Sequence, residues 1–233
     1  MEFTKTLIKG KLVKRYKRFF ADIKVNKETI VAHCPNTGSM KGLLNINNEV
    51  WISKNEDPKR KLKYTLEIIK VKKNLVGVNT HFANKIVYHG LSNNLIKELN
   101  NNQNIKPEVF FNKKTRFDFL VKKNNQKIFV EVKNVTLFRK DKISEFPDAI
   151  TSRGSKHLKT LIDATKKGYK SYIIFLVQIQ GMKYFKIAKD IDKEYYQNYL
   201  LAKKAGVKFL AYRCKIDPTK EIKIEKKLKI IDV

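Results

Sequence analysis

Cysteine is almost absent: Cys34 and Cys214 stand far apart in 233 residues, with no Cys-x-x-Cys pair. That excludes a zinc site of the usual spacing and a disulfide framework, and leaves both as small buried hydrophobes. His33 adjoins Cys34, but neighbours on a strand point to opposite faces and no second pair completes a metal set. Long apolar runs are also missing. The longest, Tyr172 to Val177, falls far short of the ~20 residues that cross a bilayer. Met1-Glu2-Phe3-Thr4-Lys5 lacks the charged-then-apolar pattern of a signal peptide. The expectation is a soluble, cytoplasmic protein with no membrane partner. Acid is scarce too, 22 Asp and Glu against 51 Lys and Arg, giving a net charge of +29. Such a chain is drawn to polyanions, and nucleic acid is the usual one. Arginine is scarcer still: only seven of the 51, with 44 lysines. The excess of Lys, Asn and Ile is a compositional bias that enlarges charge without selecting for binding. The retained arginines are therefore informative, because a planar bidentate donor is not replaced by lysine. Arg15, Arg18, Arg116 and Arg153 fall in the motifs below.

What is present, 42% hydrophobic residues, suffices for a core in one large domain or two small ones. Residues 1–80 read as short strands with turns: 7–13, 19–25 and 28–33 around Asn26-Lys27, then 49–53 and 64–71. Five such strands fit an OB-like β-barrel, a fold that commonly binds oligonucleotides. From residue 81 to 233 the pattern changes. Leu91, Leu95, Ile96 and Leu99 predict a helix over 88–99 that Ser92 can cap. Strands follow near 107–111, 115–122 and 127–135, then a helix over 151–167 stopped by Gly168. A buried strand at 171–178, a helix over 192–205 stopped by Gly206 and a strand at 207–212 complete an α/β domain with a central mixed sheet flanked by helices.

Four motifs carry chemistry. In Phe129-Val130-Glu131-Val132-Lys133, alternation puts Glu131 and Lys133 on one face and both valines on the other. Asp118 sits in Arg116-Phe117-Asp118-Phe119-Leu120, with the same alternation. An Asp on one strand and Glu-x-Lys on the next is the metal-binding pattern of a large class of nucleases. Two close carboxylates need a divalent cation or a lysine partner. Glu98 and Glu108 are both candidates for a further carboxylate, and Gln178 is placed to orient a water or a base. The second motif interleaves cations and rings: Arg15, Tyr16, Lys17 and Arg18 would meet phosphates and bases on an exposed barrel face. In the third, Asn36-Thr37-Gly38-Ser39-Met40-Lys41-Gly42, Gly38 and Gly42 can adopt positive φ and expose amides to a phosphate, although a tight structural turn competes with that reading. In the fourth, Thr151 or Ser152 caps a helix whose first turns carry Arg153, Lys156 and His157, where phosphate binding is favoured.

Together these segments resemble the sugar fermentation stimulation protein A family, through Arg15 to Phe19, His33 to Met40, Arg116 to Phe119, Val130 to Leu137, Phe146-Pro147-Asp148-Ala149 and Arg153 to Leu158. Ser152 departs from the acidic residue expected before Arg-Gly. The resemblance implies an amino-terminal OB-like barrel followed by a PD-(D/E)XK nuclease-like domain, with DNA binding attributed to the family. Asp118 and Glu131 would bind Mg²⁺, with Mn²⁺ as substitute, and Lys133 would join them as the catalytic lysine. The nucleic-acid contacts are assigned to Arg15, Tyr16, Lys17, Arg18, Asn36, Thr37, Ser39, Lys41, Arg116, Arg153, Lys156 and His157. The expectation is a Mg²⁺-dependent nuclease. The alternatives are a non-catalytic DNA-binding regulator of sugar genes and an RNA-directed protein. Oligomeric state, a homodimer included, is left open.

Overall fold

The computed structural model describes residues 1–113 and 115–231. Six strands come first: β1 (Ile8–Tyr16), β2 (Phe20–Val25), β3 (Glu28–His33), β4 (Glu49–Lys54), β5 (Tyr64–Val71) and β6 (Asn74–Gly77). Their order is β3-β2-β1-β4-β5-β6, and a parallel pairing of β3 with β5 closes five of them into a barrel. Alternate residues Leu12, Ala21, Ile23, Val50, Ile52 and Leu66 fill its interior. The barrel closes tightly at Gly10, where a Cβ would lie 2.7 Å from Ile23 Cγ2 and 2.8 Å from the Lys24 carbonyl oxygen. Short β6, not foreseen from the sequence, ties the barrel to the rest of the chain: the Gly77 N–H donates to the Gln178 carbonyl at 2.9 Å.

Next comes α1 (Phe82–Ser92), followed by a 3₁₀ turn at Lys97–Leu99. The helix expected over 88–99 is thus displaced toward the amino terminus, and Ser92 ends it rather than capping its start. Ala83, Ile86, Val87, Gly90 and Leu91 form the buried stripe; Asn93 caps the end, and Asn94, at φ 57°, turns the chain away. Ile96 and Leu99 are buried all the same.

The remaining elements are β7 (Asn104–Asn112), β8 (Thr115–Lys123), β9 (Gln126–Val135), β10 (Leu137–Lys140), β11 (Ile143–Phe146), α2 (Ser152–Lys166), β12 (Lys170–Val177), β13 (Tyr184–Ile187), α3 (Lys193–Lys204), β14 (Lys208–Asp217), β15 (Glu221–Lys227) and β16 (Lys229–Ile230). They build a mixed sheet, β15-β14-β12-β9-β8-β7, with β9, β12 and β14 parallel. The β8–β9 hairpin turns through Asn124 and Asn125, both at positive φ, as a tight hairpin requires. One face of the sheet packs Val130, Val132, Ile174 and Leu176 against α1. The other packs Phe129, Ile173 and Phe175 against Leu158, Leu161 and Tyr195 of α2 and α3. With both faces covered, the central strand β12 is continuously apolar and buried from Ile173 to Val177, the pattern of a parallel strand packed on both sides. The α2 start is capped by Thr151 Oγ1, which accepts from the Gly154 N–H at 3.1 Å, and the α3 start by Asp192, which accepts from the Tyr195 N–H at 2.9 Å. A smaller sheet, β10-β11-β13-β16, carries an ion cluster in which buried Glu145 accepts from Arg139 at 2.6 and 2.9 Å. Both cysteines are buried and free. Among the described residues no helix is long and apolar enough to cross a membrane.

Candidate metal centre and nucleic-acid face

The β8–β9 ladder pairs Phe119 with Val130 and then stops. Beyond that pair, Asp118 Oδ2 accepts from the Val132 N–H at 2.7 Å, so the carboxylate occupies the place of a ladder bond. Phe117 packs toward α2 while Phe119 packs toward α1: the strand turns over at Asp118, and simple alternation does not hold there. Asp118 Oδ1 accepts from Asn84 Nδ2 on α1 at 2.8 Å. Burial, joined by the negative charge of Glu131, raises the Asp118 carboxyl to about 6.

Glu131 is 4% exposed. Its Oε1 accepts from Lys133 Nζ at 2.7 Å and contacts His157 Nδ1, while its Oε2 is buried with no partner. Burial pushes this carboxyl up, but Lys133 and then His157 outweigh it and hold the group below its usual range. The expected sharing of one face by Glu131 and Lys133 is seen, and Val130 and Val132 enter the core beneath α1. The Tyr195 hydroxyl, fully buried and unpartnered, lies near enough for the Glu131 charge to raise its pKa further above the effect of burial.

A cleft of about 610 Å³ opens over Asp118, lined by Asn84, Glu108, Arg116, Arg153, Lys156 and His157 among others. Of the two extra carboxylates, Glu108 belongs to this cleft, where it pairs with Arg116 at 2.7 Å. Glu98 lies elsewhere, bound to the Tyr212 hydroxyl at 2.6 Å. Among the described residues no group of three or more side chains forms a ready metal cage. The donors that fit a hard cation are two, Asp118 and the orphaned Oε2 of Glu131, a set suited to an ion that keeps several waters.

The remaining sequence candidates divide. Lys17 and Arg18 are exposed at a turn with both residues at positive φ, and Arg153 and Lys156 are exposed on α2. Tyr16 is half-buried and stacks on Phe20 at 5.4 Å. The loop after β3 is braced as a turn by its own and neighbouring groups. Arg15 donates to the carbonyls of Arg18, Asn36 and Gly38 at 2.9, 2.7 and 3.1 Å. Asn36 is 4% exposed and accepts from the Gly38 N–H. Ser39 Oγ donates to the Asp148 carbonyl at 2.8 Å, and the Met40 N–H donates to the Asp148 carboxylate at 3.2 Å. An acid thus sits where an anion was expected. Met40, at φ 50°, takes the positive φ foreseen for Gly38, whereas Gly42, at 80°, takes it as foreseen. Thr37 and Lys41 are exposed. His157 is 7% exposed and turns its Nδ1 to Glu131, while the residue also borders the cleft. Gln178 is wholly buried and donates to Asn134 at 2.6 Å, while its Oε1 has no partner. Asn84 and Tyr195 escaped the sequence reading. Nothing local marks Asn84, but His157 follows Gly154 and precedes Leu158 and Leu161 on the buried stripe of α2, a spacing that signals an inward histidine.

A closed OB-type barrel joined to a helix-flanked mixed sheet, with Asp118, Glu131 and Lys133 where that sheet splays, defines a two-part protein of barrel and α/β build. The chain belongs to the sugar fermentation stimulation protein family: residues 13–78 match the SfsA N-terminal OB domain and residues 81–220 the sugar fermentation stimulation protein RE domain. A sugar fermentation stimulation protein homolog of Pelagibacter ubique is 78% identical over 232 residues, covering 100% of both chains. One from Marinomonas is 42% identical over 99% of this chain and 90% of its own. The fold also matches the solved structure of Pyrococcus furiosus SfsA in complex with Ca²⁺, with a TM-score of 0.90 at 23% identity, over 100% of this chain and 98% of that one.

Proposed function

We propose that the protein binds DNA and hydrolyses its phosphodiester bonds in a divalent-cation-dependent reaction, with Mg²⁺ the expected ion and Mn²⁺ a substitute. The observation that carries this reading is the unpartnered, buried Oε2 of Glu131 beside a carboxyl raised to about 6 at Asp118. A buried carboxylate oxygen without a donor is costly unless something positive meets it. That the Pyrococcus furiosus relative was solved with Ca²⁺ supports a hard-cation site in this fold. The ion would be held by Asp118 and Glu131 and would supply Lewis-acid stabilisation of the phosphoryl oxygens. Asn84 and the Val132 amide hold Asp118 in place; His157 fixes Glu131. Lys133, tethered to Glu131, positions the attacking water and offsets charge as its oxygen bonds to phosphorus and the bond to the leaving oxygen breaks. Arg116, Arg153 and Lys156 line the cleft or its rim and bind the flanking phosphates, and Lys17 and Arg18 at the barrel turn extend the contact.

A second reading, a DNA-binding regulator without turnover, is favoured by the double engagement of Glu131 Oε1 with Lys133 and His157, which partly satisfies the cluster without a cation. Labelled single-stranded and duplex DNA, incubated with Mg²⁺, Mn²⁺ or EDTA, separates the two. Cation-dependent products that vanish in Glu131→Gln and Lys133→Ala support the nuclease; binding without products across the substrates overturns it.

A further inference from the structure

A second cleft, of about 600 Å³, lies between the barrel and the start of α1 and shares no lining residue with the Asp118 site. Its floor is Glu67, 2% exposed. Ser53 Oγ donates to Glu67 Oε1 at 2.6 Å and Asn79 Nδ2 to Oε2 at 2.8 Å. Both donors are neutral, and burial pushes this carboxyl up. Its spare lone pairs can still accept from a ligand. The rim has the opposite character. Arg60 makes one long side-chain hydrogen bond, to Thr65 Oγ1 at 3.4 Å, and among the described residues it has no ion pair. Lys85 is exposed and also unpaired, with its ammonium 5.9 Å from the Phe82 ring centre. Phe82 meets Phe3 edge-on at 6.4 Å, so the cleft has an aromatic wall. His33, kept neutral by burial and by the nearby Arg60 and His81, completes the lining.

A bare anion would meet the rim cations but gain nothing from the rings or from an acid on the floor. A ligand that satisfies every part carries a phosphate at one end, a flat ring, and an amino or hydroxyl donor at the other. We propose that this cleft binds a nucleoside phosphate, with Arg60 and Lys85 on the phosphate, Phe82 against the base and Glu67 accepting from its exocyclic donor or a sugar hydroxyl. The same chemistry is offered by a free mononucleotide and by the 5′-phosphorylated end of a strand. The assignment does not depend on the cleavage chemistry, since Asp118, Glu131 and Lys133 take no part. Asn84, which holds Asp118, stands between Phe82 and Lys85 on α1, so the ligand would bear on the helix that braces the other site.

The test is calorimetric titration of the full chain, without divalent cation, with each common 5′-mononucleotide, with inorganic phosphate, and with a 5′-phosphorylated trinucleotide beside its unphosphorylated twin. Saturable binding of a mononucleotide, weakened about tenfold by Arg60→Ala and by Phe82→Leu but unchanged in Lys133→Ala, establishes the site as one for free nucleotide. A preference for the phosphorylated trinucleotide that disappears in Arg60→Ala, with no mononucleotide binding, assigns it to a strand end. Thermal melts confirm that each variant folds. Absence of both kinds of binding overturns the proposal, as does binding indifferent to Arg60→Ala or inorganic phosphate that binds as tightly as any nucleotide. Loss of DNA cleavage in Lys133→Ala with nucleotide binding intact keeps the two clefts distinguishable.

Discussion

Replacing Asp118 by Asn should make the metal-free protein more stable at neutral pH. The Asp118 carboxyl rises from an ordinary 3.8 to about 6 in the folded chain, and each unit of such a shift corresponds to about 1.4 kcal/mol. A group whose folded pKa is raised contributes stability that is fully present below its unfolded pKa and lost as pH climbs through the folded one. At pH 7.5 the ionised Asp118 therefore costs up to about 3 kcal/mol, and about 1–3 kcal/mol after allowing for its partial exposure. An asparagine can keep the local bonds: its oxygen accepts from the Val132 N–H, and its amide meets a flipped Asn84. Urea unfolding in EDTA should place Asp118→Asn above the parent at pH 7.5, with the gap closing toward pH 4.5 as Asp118 takes up its proton. Equal stability at pH 7.5, or a gap indifferent to pH, would refute the reasoning.

Other consequences follow from the same structure. Arg139→Met leaves Glu145, 2% exposed, with only Lys186 at 3.3 Å; urea unfolding should show a loss of about 2–3 kcal/mol, and an unchanged midpoint would count against a stabilising cluster. Tyr195→Phe removes a buried hydroxyl that has no partner, so the melting midpoint should hold or rise, by an equivalent of about 1 kcal/mol; a fall would show that the hydroxyl is satisfied. For DNA, the double changes Lys17→Ala/Arg18→Ala and Arg153→Ala/Lys156→Ala should each flatten the dependence of log affinity on log salt by about two. An unaltered slope in fluorescence anisotropy would remove that pair from the interface.

Much of the framework was legible in local chemistry. Asn26-Lys27 and Asn124-Asn125 mark hairpins because asparagine tolerates positive φ, and Gly168 and Gly206, at φ 86° and 94°, stop helices where only a left-handed residue fits. Helix α1 was misplaced because the apolar residues after Asn94 continue its spacing, although they are buried by a separate turn. The β10-β11-β13-β16 sheet escaped notice since its strands are two to four residues long and pair across large sequence gaps. At the candidate metal centre, Glu131 and Lys133 follow from period-two alternation, but the splay at Asp118 and the brace from Asn84 are tertiary facts. The loop of Asn36 to Met40 carries the composition of an anion cradle; that its Met40 N–H and Ser39 hydroxyl are met by Asp148, 108 and 109 residues on, is a tertiary fact.

The central claim is that Asp118 and the free oxygen of Glu131 form one cation site. Titration of the metal-free protein with Mn²⁺, followed by the loss of the free-ion electron paramagnetic resonance signal, tests it most directly. The account predicts binding to the parent chain that is abolished or greatly weakened in both Asp118→Asn and Glu131→Gln. Undiminished Mn²⁺ binding in either variant, or none in the parent, would contradict it.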